Sequence, residues 1–353
     1  MLMLRYYTRV CNFYYGNHSK KLVNQKKAIP LNGIKEISFD QIEIITRNSK
    51  KKIFINQIKY LPKLIRKKIN FDLKKIKSKK KNFSNLDFKK IPNILGVLNL
   101  TPDSFSDGGK FNSKKKGINH AVHLLNSGAN LIDVGGESTR PGSKMIRENL
   151  EWQRINKILK LLLEKKIPIS LDTRKSKIMS KGINLGVKLI NDVSGLDFDS
   201  ETLNVLKKYK IPFVIQHSQG VPENMQKNPK YKNELLDIYD FFEKKIKLLR
   251  SKGIKHDKII LDPGIGFGKN LKHNMSLIRN ISIFHSLGFP ILVGNSRKRF
   301  IKELSGKNDS KFRNGGTIAS SIYLMMQGVQ ILRIHDVNET IQGIKIFKNI
   351  INN

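Results

Sequence analysis

Eight short apolar runs recur from residue 94 onward, at 94–98, 131–134, 168–171, 188–190, 212–215, 259–261, 290–293 and 330–334. Helix-length segments lie between them, among them 118–126, 148–164, 233–251 and 316–327. Strand-length runs alternating with helices build βαβ units, whose strands pair in parallel. Helices cover both faces of a parallel sheet, so its strands are apolar throughout and do not alternate. Eight such runs predict an α/β fold closed into a (β/α)8 TIM barrel rather than an open sheet.

Each run ends in polar or glycine-rich residues. Asn99 follows the first, Asp133-Val134-Gly135-Gly136-Glu137 closes the second, Asp172-Thr173 the third and Asn191-Asp192 the fourth. Gln216-His217, Asp262-Pro263-Gly264, Gly294-Asn295-Ser296 and Arg333-Ile334-His335 close the others. In a barrel the C-terminal ends of all strands meet at one mouth. A buried polar group costs free energy unless it is paired. A ring of them at equivalent positions therefore points to an active site, although Asp172 or Asn191 alone would pass for a helix N-cap.

The first 90 residues differ in character. Short β-like runs at 4–10, 42–46 and 52–55 precede a lysine-rich stretch, 63–81, in which Leu64, Ile65, Ile69, Leu73 and Ile76 predict a partly amphipathic helix. Lys79-Lys80-Lys81-Asn82 reads as a solvated tether without a partner. The division expected is a small, basic, partly structured N-terminal extension over 1–90 and a barrel over 91–353. Arg5, Arg9 and the lack of acidic residues before Ile34 leave organellar import as the alternative to a cytoplasmic protein. Tyr6-Tyr7 and Phe13-Tyr14-Tyr15 look instead like packed strand.

Lysine and arginine number 67 against 28 aspartate and glutamate, a formal net charge of +39. Such an excess raises a nucleic-acid or anionic-membrane partner. It is spread along the chain, however, with 24 basic and 5 acidic residues in 1–93 and 43 and 23 in 94–353. No arginine–aromatic interleaving, zinc spacing or RNP-like motif accompanies it. No apolar run approaches the roughly 18 residues of a membrane span. Neither nucleic acid nor membrane is expected as a partner. A single cysteine, Cys11, leaves no internal disulfide and suits a reducing compartment.

Longer motifs stand at the strand ends. Thr101-Pro102-Asp103-Ser104-Phe105-Ser106-Asp107-Gly108-Gly109 follows Asn99, and Gly135-Gly136-Glu137-Ser138-Thr139-Arg140-Pro141-Gly142 closes the second run. Then come Asp172-Thr173, Asn191-Asp192-Val193-Ser194-Gly195, Asp262-Pro263-Gly264-Ile265-Gly266-Phe267-Gly268-Lys269, Ser296-Arg297-Lys298 and Arg333-Ile334-His335-Asp336. The set, in this order over about 94–347, resembles the signatures of the dihydropteroate synthases, a pterin-binding barrel family. The resemblance implies a transferase of folate biosynthesis. Such an enzyme joins 6-hydroxymethyl-7,8-dihydropterin diphosphate to 4-aminobenzoate and releases pyrophosphate, with Mg²⁺ and as a homodimer.

The resemblance assigns Asp172, Asn191, Asp262 and Lys298 to the pterin. The chemistry agrees, since the guanidine-like edge of a pterin offers N–H donors that carboxylates and an amide oxygen accept. Asn99, Arg333 and His335 are implied for the diphosphate, and Asn99 also for Mg²⁺. Arg333 and His335, two apart on a strand, face the same way, and barrels often bind phosphate near strands seven and eight. Magnesium keeps most of its waters, so a carboxylate cage is not required. Phe105, Thr139, Arg140, Pro141, Ser296 and Lys298 are implied around 4-aminobenzoate. Asp103, Phe105, Ser106 and Asp107 join Asn99, Lys298, Arg333 and His335 as the catalytic set.

Gly108, Gly109, Gly135, Gly136 and Gly142 predict permissive loops over 100–112 and 136–147 that close on a cationic intermediate. No general base is expected, because an aniline nitrogen is already neutral. The family more often carries Met where Ser218 stands, which alters the pocket wall. Residues 264–269 lack the spacing of a Walker loop, and His217 has no metal-ligand partner at useful spacing. A corrinoid methyltransferase barrel would share the acidic pterin contacts but needs no diphosphate site, so Arg333 and His335 set it aside.

Overall fold

The computed structural model describes residues 5–101, 114–140 and 142–352. It opens with an antiparallel sheet in which β1 (Tyr7–Tyr15), α1 (Gly16–Asn24), β2 (Ile29–Leu31), β3 (Ile34–Ile45) and β4 (Lys50–Phe54) follow in order. β3 is central and pairs with the other three strands. The two longer strands exceed the runs expected from sequence. Tyr14 and Tyr15 extend β1 by pairing with Ser38 and Ile37, so cross-strand partners rather than local alternation set the ends. α2 (Lys63–Lys77) buries Ile69, Leu73 and Ile76 as its spacing predicts, whereas Leu64 in its first turn is exposed and Ile65 is half-buried. Its Asp72 is fully buried and accepts from the Thr8 hydroxyl at 2.6 Å and from Lys68.

This sheet packs against the barrel. The Tyr7 ring meets Tyr239 edge-on at 5.2 Å and its hydroxyl donates to Asp240 at 3.0 Å. Arg5 and Arg47 pair with Asp237, Asp240 and Glu243, and the Ser282 hydroxyl donates to the Val10 carbonyl at 2.9 Å. Lys79, Lys81 and Asn82 of the tether are exposed, as a solvated segment requires, but the tether is not without partners. Lys80 Nζ donates to the Gly288 carbonyl at 2.7 Å, and Lys81 pairs with Asp257 at 3.2 Å. Long lysine stems lie along apolar surface while their heads reach polar partners, which composition cannot reveal.

The strands β5 (Asn93–Asn99), β6 (Leu131–Gly135), β7 (Ile169–Asp172), β8 (Leu189–Asp192), β9 (Phe213–Gln216), β10 (Ile259–Asp262), β11 (Leu292–Val293) and β12 (Ile331–Ile334) lie at the eight apolar runs. All pair in parallel, in the order β10-β9-β8-β7-β6-β5-β12-β11, and a bridge between Leu261 and Ile291 closes the ring. The helices are α3 (Lys114–Asn126), α4 (Glu148–Glu164), α5 (Ser176–Leu185), α6 (Thr202–Tyr209), α7 (Glu234–Ser251), α8 (Leu271–Arg279), α9 (Arg299–Ser305), α10 (Asn314–Met326) and α11 (Val337–Asn352).

Leu95, Leu131, Leu189, Val214, Ile260, Leu292 and Ile331 fill the barrel interior, with Leu86 and Phe88 packed against them. Each such side chain contributes about 1.5–3 kcal/mol by leaving water. Outer strand faces and helices form a second, larger apolar layer. Among the described residues no helix is long and apolar enough to cross a membrane. The packed interior leaves one place where polar strand-end groups converge, the C-terminal mouth.

Candidate active site

Asp133 lies in the middle of β6, Asp172 and Asp262 end β7 and β10, and Asn191 is the last residue but one of β8; all four are buried. Arg333 of β12 reaches across to this group. Its Nε donates to Asp133 Oδ2 at 2.6 Å and its Nη2 to Asp172 Oδ2 at 2.8 Å. Asn191 Nδ2 donates to the same Asp133 oxygen at 3.1 Å, while Asp133 Oδ1 and Asn191 Oδ1 are buried with no hydrogen-bond partner among the described residues. Unpaired buried acceptors of this kind are rare in native proteins. Two in one cluster make a surface ready for N–H donors. Neither Asp172 nor Asn191 caps a helix: α5 starts after Lys175, and Asn191 is spent on Asp133.

Electrostatics follow from this crowding. Burial pushes the Asp172 carboxyl well above the usual carboxylate range, Arg333 opposes the shift and Asp133 adds to it. Burial raises Asp262 too, against the Gly264 N–H and the Lys298 ammonium. Lys298 follows β11 and N-caps α9. Burial and Arg333 push its ammonium down, and Nζ sits 4.2 Å from the centre of the Phe267 ring. Near-neutral acids and a softened lysine within one cluster are the mark of a site prepared for a polar ligand.

His335 forms the second group. Its Nδ1 lies 3.1 Å from the Ser296 hydroxyl, which also accepts from the His335 backbone N–H at 3.2 Å. Burial, then Arg297, Arg333, Arg140 and Lys298, push its pKa far below the usual histidine value. The free imidazole is therefore neutral, and His335 is not the standing cation that an anion site would suggest. Asp336 takes both Arg297 Nε, at 2.7 Å, and Nη2. Asn295 Nδ2 donates to Ser320 and Ser321 of α10 at 2.8 and 2.9 Å.

A third group anchors the loop after β6. Lys175 Nζ bridges Glu137 and Glu151 at 3.0 and 2.6 Å, Arg174 Nε donates to Glu137 at 2.9 Å, and the Thr173 hydroxyl donates to Glu151 at 2.6 Å. Burial works against the Glu137 carboxylate, yet Arg174, the Ile146 N–H and Lys175 together hold it below the usual range. Gly136 serves this packing and not mobility, since a Cβ there would lie 2.7 Å from Ile155 Cγ2.

These groups border one cavity of about 640 Å³, lined by Asn99, Thr139, Arg140, Asp172, Phe267, Ser296, Lys298, Arg333 and His335 among others. Asn99 ends β5 beside β12, as a closed ring requires. The structure thus brings together Asn99, Thr139, Arg140, Asp172, Ser296, Lys298, Arg333 and His335, with Asn191 and Asp262 joined through Asp133, Arg333 and Lys298. Asp103, Phe105, Ser106, Asp107 and Pro141 lie outside the described residues. Ser218 is not among the lining residues; its hydroxyl turns to the Gly220 carbonyl at 3.2 Å. Among the described residues no three His, Cys, Asp or Glu side chains cluster as a metal cage.

Asp133 was missed as a site residue. Its signals are its place among the polar residues that close the second run and its carboxylate set between apolar neighbours, neither of which gives it a role. Asp336 and the Glu137–Lys175–Glu151 cluster gave no such signal, because their partners are distant in sequence.

Comparison with known proteins agrees with this geometry. Residues 95–335 match the model of the pterin binding enzyme family. The dihydropteroate synthase of Escherichia coli is 39% identical over 256 residues, 72% of this chain and 90% of that protein. That of Synechocystis is 39% identical over 261 residues, 74% of this chain and 90% of that protein. Among solved structures, the Yersinia pestis dihydropteroate synthase in complex with a sulfonamide drug superposes with a TM-score of 0.72 at 39% identity, covering 75% of this chain and 96% of that one. The Xanthomonas albilineans dihydropteroate synthase with 4-aminobenzoic acid gives 0.68 at 32%, covering 73% and 93%.

Proposed function

From the premise that this chain belongs to the family of pterin-binding enzymes, we propose that it has dihydropteroate synthase activity, joining 6-hydroxymethyl-7,8-dihydropterin diphosphate to 4-aminobenzoate with release of pyrophosphate. The observation that carries the reading is the junction of Arg333 with Asp133 and Asp172 beside Lys298 and His335 on one cavity. It supplies acceptors for a heterocycle's N–H edge next to cations for a diphosphate.

In this reading Asp172, Asn191 and Asp262 accept the pterin's N–H groups, and Lys298 donates to its ring oxygen or nitrogen. Arg333 and His335 bind the diphosphate with Asn99. Thr139, Arg140, Ser296 and Lys298 border 4-aminobenzoate, together with Phe105 and Pro141. Asp103, Phe105, Ser106 and Asp107 are proposed to act on the reacting carbon.

The bond between the pterin methylene and the diphosphate oxygen breaks, and its electron pair leaves on pyrophosphate. Cations facing the leaving group lower that barrier by stabilising charge as it develops. The methylene cation delocalises into the pterin ring. The neutral amine nitrogen then forms the new C–N bond and loses a proton to solvent, without a general base. Buried walls exclude water that would otherwise capture the cation.

Mg²⁺ is proposed as a companion of the diphosphate. The donor set suits that role, with one amide oxygen at Asn99 and no carboxylate cage among the described residues. A metal held mainly by substrate oxygens and water needs little more, and it would supply charge neutralisation. A homodimer in the cytoplasm is the proposed working form. Exposed Leu304 and Phe312 offer an apolar face, and buried Tyr7 and Val10 support reading the extension from Tyr7 onward as part of the fold. Residues 1–90 are proposed as a brace for the catalytic unit, 91–353.

The test is formation of dihydropteroate from the two substrates with and without Mg²⁺. Product and pyrophosphate in equal amounts, dependent on the metal, are expected. No product from folded protein that binds the pterin would overturn the reading.

A further inference from the structure

Lys269 is buried to 2% exposure and is not a wall of the cavity. Its ammonium donates to the Phe267 carbonyl at 2.8 Å and the His217 carbonyl at 3.3 Å, and lies 3.1 Å from His217 Nδ1. None of these partners is a carboxylate. Burial pushes the Lys269 ammonium down to about 7, with Asp262 opposing the shift; in its protonated form it has no lone pair, so Nδ1 accepts from it and the imidazole proton sits on Nε2. Burial, then Lys269, push the His217 pKa far down, which keeps the ring neutral and able to accept.

The three partners span two neighbouring strand-end loops. His217 directly follows β9, and Phe267 belongs to the loop after β10. The loops touch through backbone: a Cβ on Gly264 would lie 2.0 Å from the His217 carbonyl oxygen, and one on Gly268 2.4 Å from that of Gln219. Both glycines have φ near +60°, so only glycine permits the approach. Other side chains hold the same loop: Gln226 and Tyr231 donate to the Gly266 and Gly268 carbonyls at 2.5 and 2.8 Å, and Asn274 accepts from the Gly266 N–H at 2.7 Å. The loop's product is the Phe267 ring, a cavity wall with the Lys298 ammonium 4.2 Å from its centre.

We propose that Lys269 is a positioning residue for the aromatic amine: it fixes the Phe267 carbonyl against the end of β9 and so holds the Phe267 ring beside Lys298 on the amine side of the cavity. The inference rests on the proposed function, in which Lys298 borders both substrates and the acidic cluster takes the pterin. Lys269 touches neither substrate. Its contribution runs through one carbonyl and one ring, and it acts on the amine more than on the pterin because Arg333 holds Asp133 and Asp172, Asp133 holds Asn191, and Asp262, which feels the Lys269 charge, keeps the Gly264 N–H.

The experiment compares Lys269→Met and Lys269→Gln with the wild type in steady-state kinetics, with calorimetry of free pterin as the fold control. Met keeps the stem and removes every donor, whereas Gln retains donors for one carbonyl. A shifted aromatic wall is expected to raise KM for 4-aminobenzoate roughly ten-fold in Lys269→Met. The pterin Kd should stay within about two-fold, and Gln should recover part of the loss. Unchanged KM for the amine, or equal weakening of both ligands with no recovery in Gln, overturns the role. If Lys269→Met does not fold, Lys269→Gln alone decides by the same split. An inactive wild type counts against the proposed function itself, whereas an active wild type with no split counts against Lys269 alone.

Discussion

Replacing Asp133 with asparagine isolates the charge that tethers Arg333. In the wild type Asp133 Oδ2 receives Arg333 Nε at 2.6 Å and Asn191 Nδ2 at 3.1 Å, on a residue with no exposure. A hydrogen bond to a charged partner contributes about 1.5–3 kcal/mol, and a neutral one about 1. An amide oxygen turned toward both donors keeps part of each bond but loses the ionic share. Stripping a buried ion of its partner costs about 3–5 kcal/mol; here Arg333 keeps Asp172 at 2.8 Å, so that full cost does not apply. Against the loss, a neutral residue 133 no longer pushes the Asp172 carboxyl upward, which relieves like-charge repulsion. The balance is a loss of about 1–2 kcal/mol. Urea unfolding at pH 7 of the wild type, Asp133→Asn, Arg333→Met and the double variant measures it as a coupling energy. Unchanged or increased stability in Asp133→Asn would mean that carboxylate repulsion outweighs the ion pair, and would refute the tether.

Three further outcomes are expected. Lys175→Met leaves Glu151 buried without its cation, and Glu137 with Arg174 only, so unfolding free energy should fall by about 3–5 kcal/mol; a fall under about 1 kcal/mol in urea would show the cluster to be hydrated. Asp192→Asn keeps Oδ1 as acceptor for the Ser194 N–H and hydroxyl while removing a charge that burial, against those bonds, pushes up to about 6 from 3.8. Because the folded value is the higher one, the wild type keeps this stability below about pH 4 and loses it as pH rises through about 6. Relative to its standing at pH 4, the variant should therefore gain on the order of 2 kcal/mol by pH 7; parallel pH–stability curves would contradict this. His335, kept neutral by burial and four surrounding cations, should take up a proton when an anion offsets them. Pyrophosphate binding near pH 6 should then show a calorimetric enthalpy that depends on the buffer's ionisation heat, and His335→Gln should change that dependence by the share of one proton, since the anion's own titration remains. The same buffer dependence in wild type and variant would detach His335 from the anion.

The barrel was legible because its information is local. Each strand of a sheet covered on both faces must be apolar by itself, so runs such as 188–190 and 259–261 announce β8 and β10 without knowledge of their neighbours. The polar residue that ends each run marks the mouth for the same reason, and Asp172, Asn191, Asp262, Arg333 and His335 stand out in this way, whereas Lys298 came only from the family resemblance. What folding alone decided are relations between residues far apart in the chain. Arg333 meets Asp133 two hundred positions away, and the partner, not the motif, determines that Asp133 belongs to the site. The charge state of His335 depends on Arg297, Arg140 and Lys298 arriving around it, although the sequence suggested a cation. Lys80 reads as solvated until Gly288 is placed beside it, and the burial of Lys269 is set by the His217 and Phe267 carbonyls that close over it. Periodicity is written in neighbouring residues, whereas burial, pairing and pKa are set by the sum of distant contacts that exist only after the chain has closed on itself.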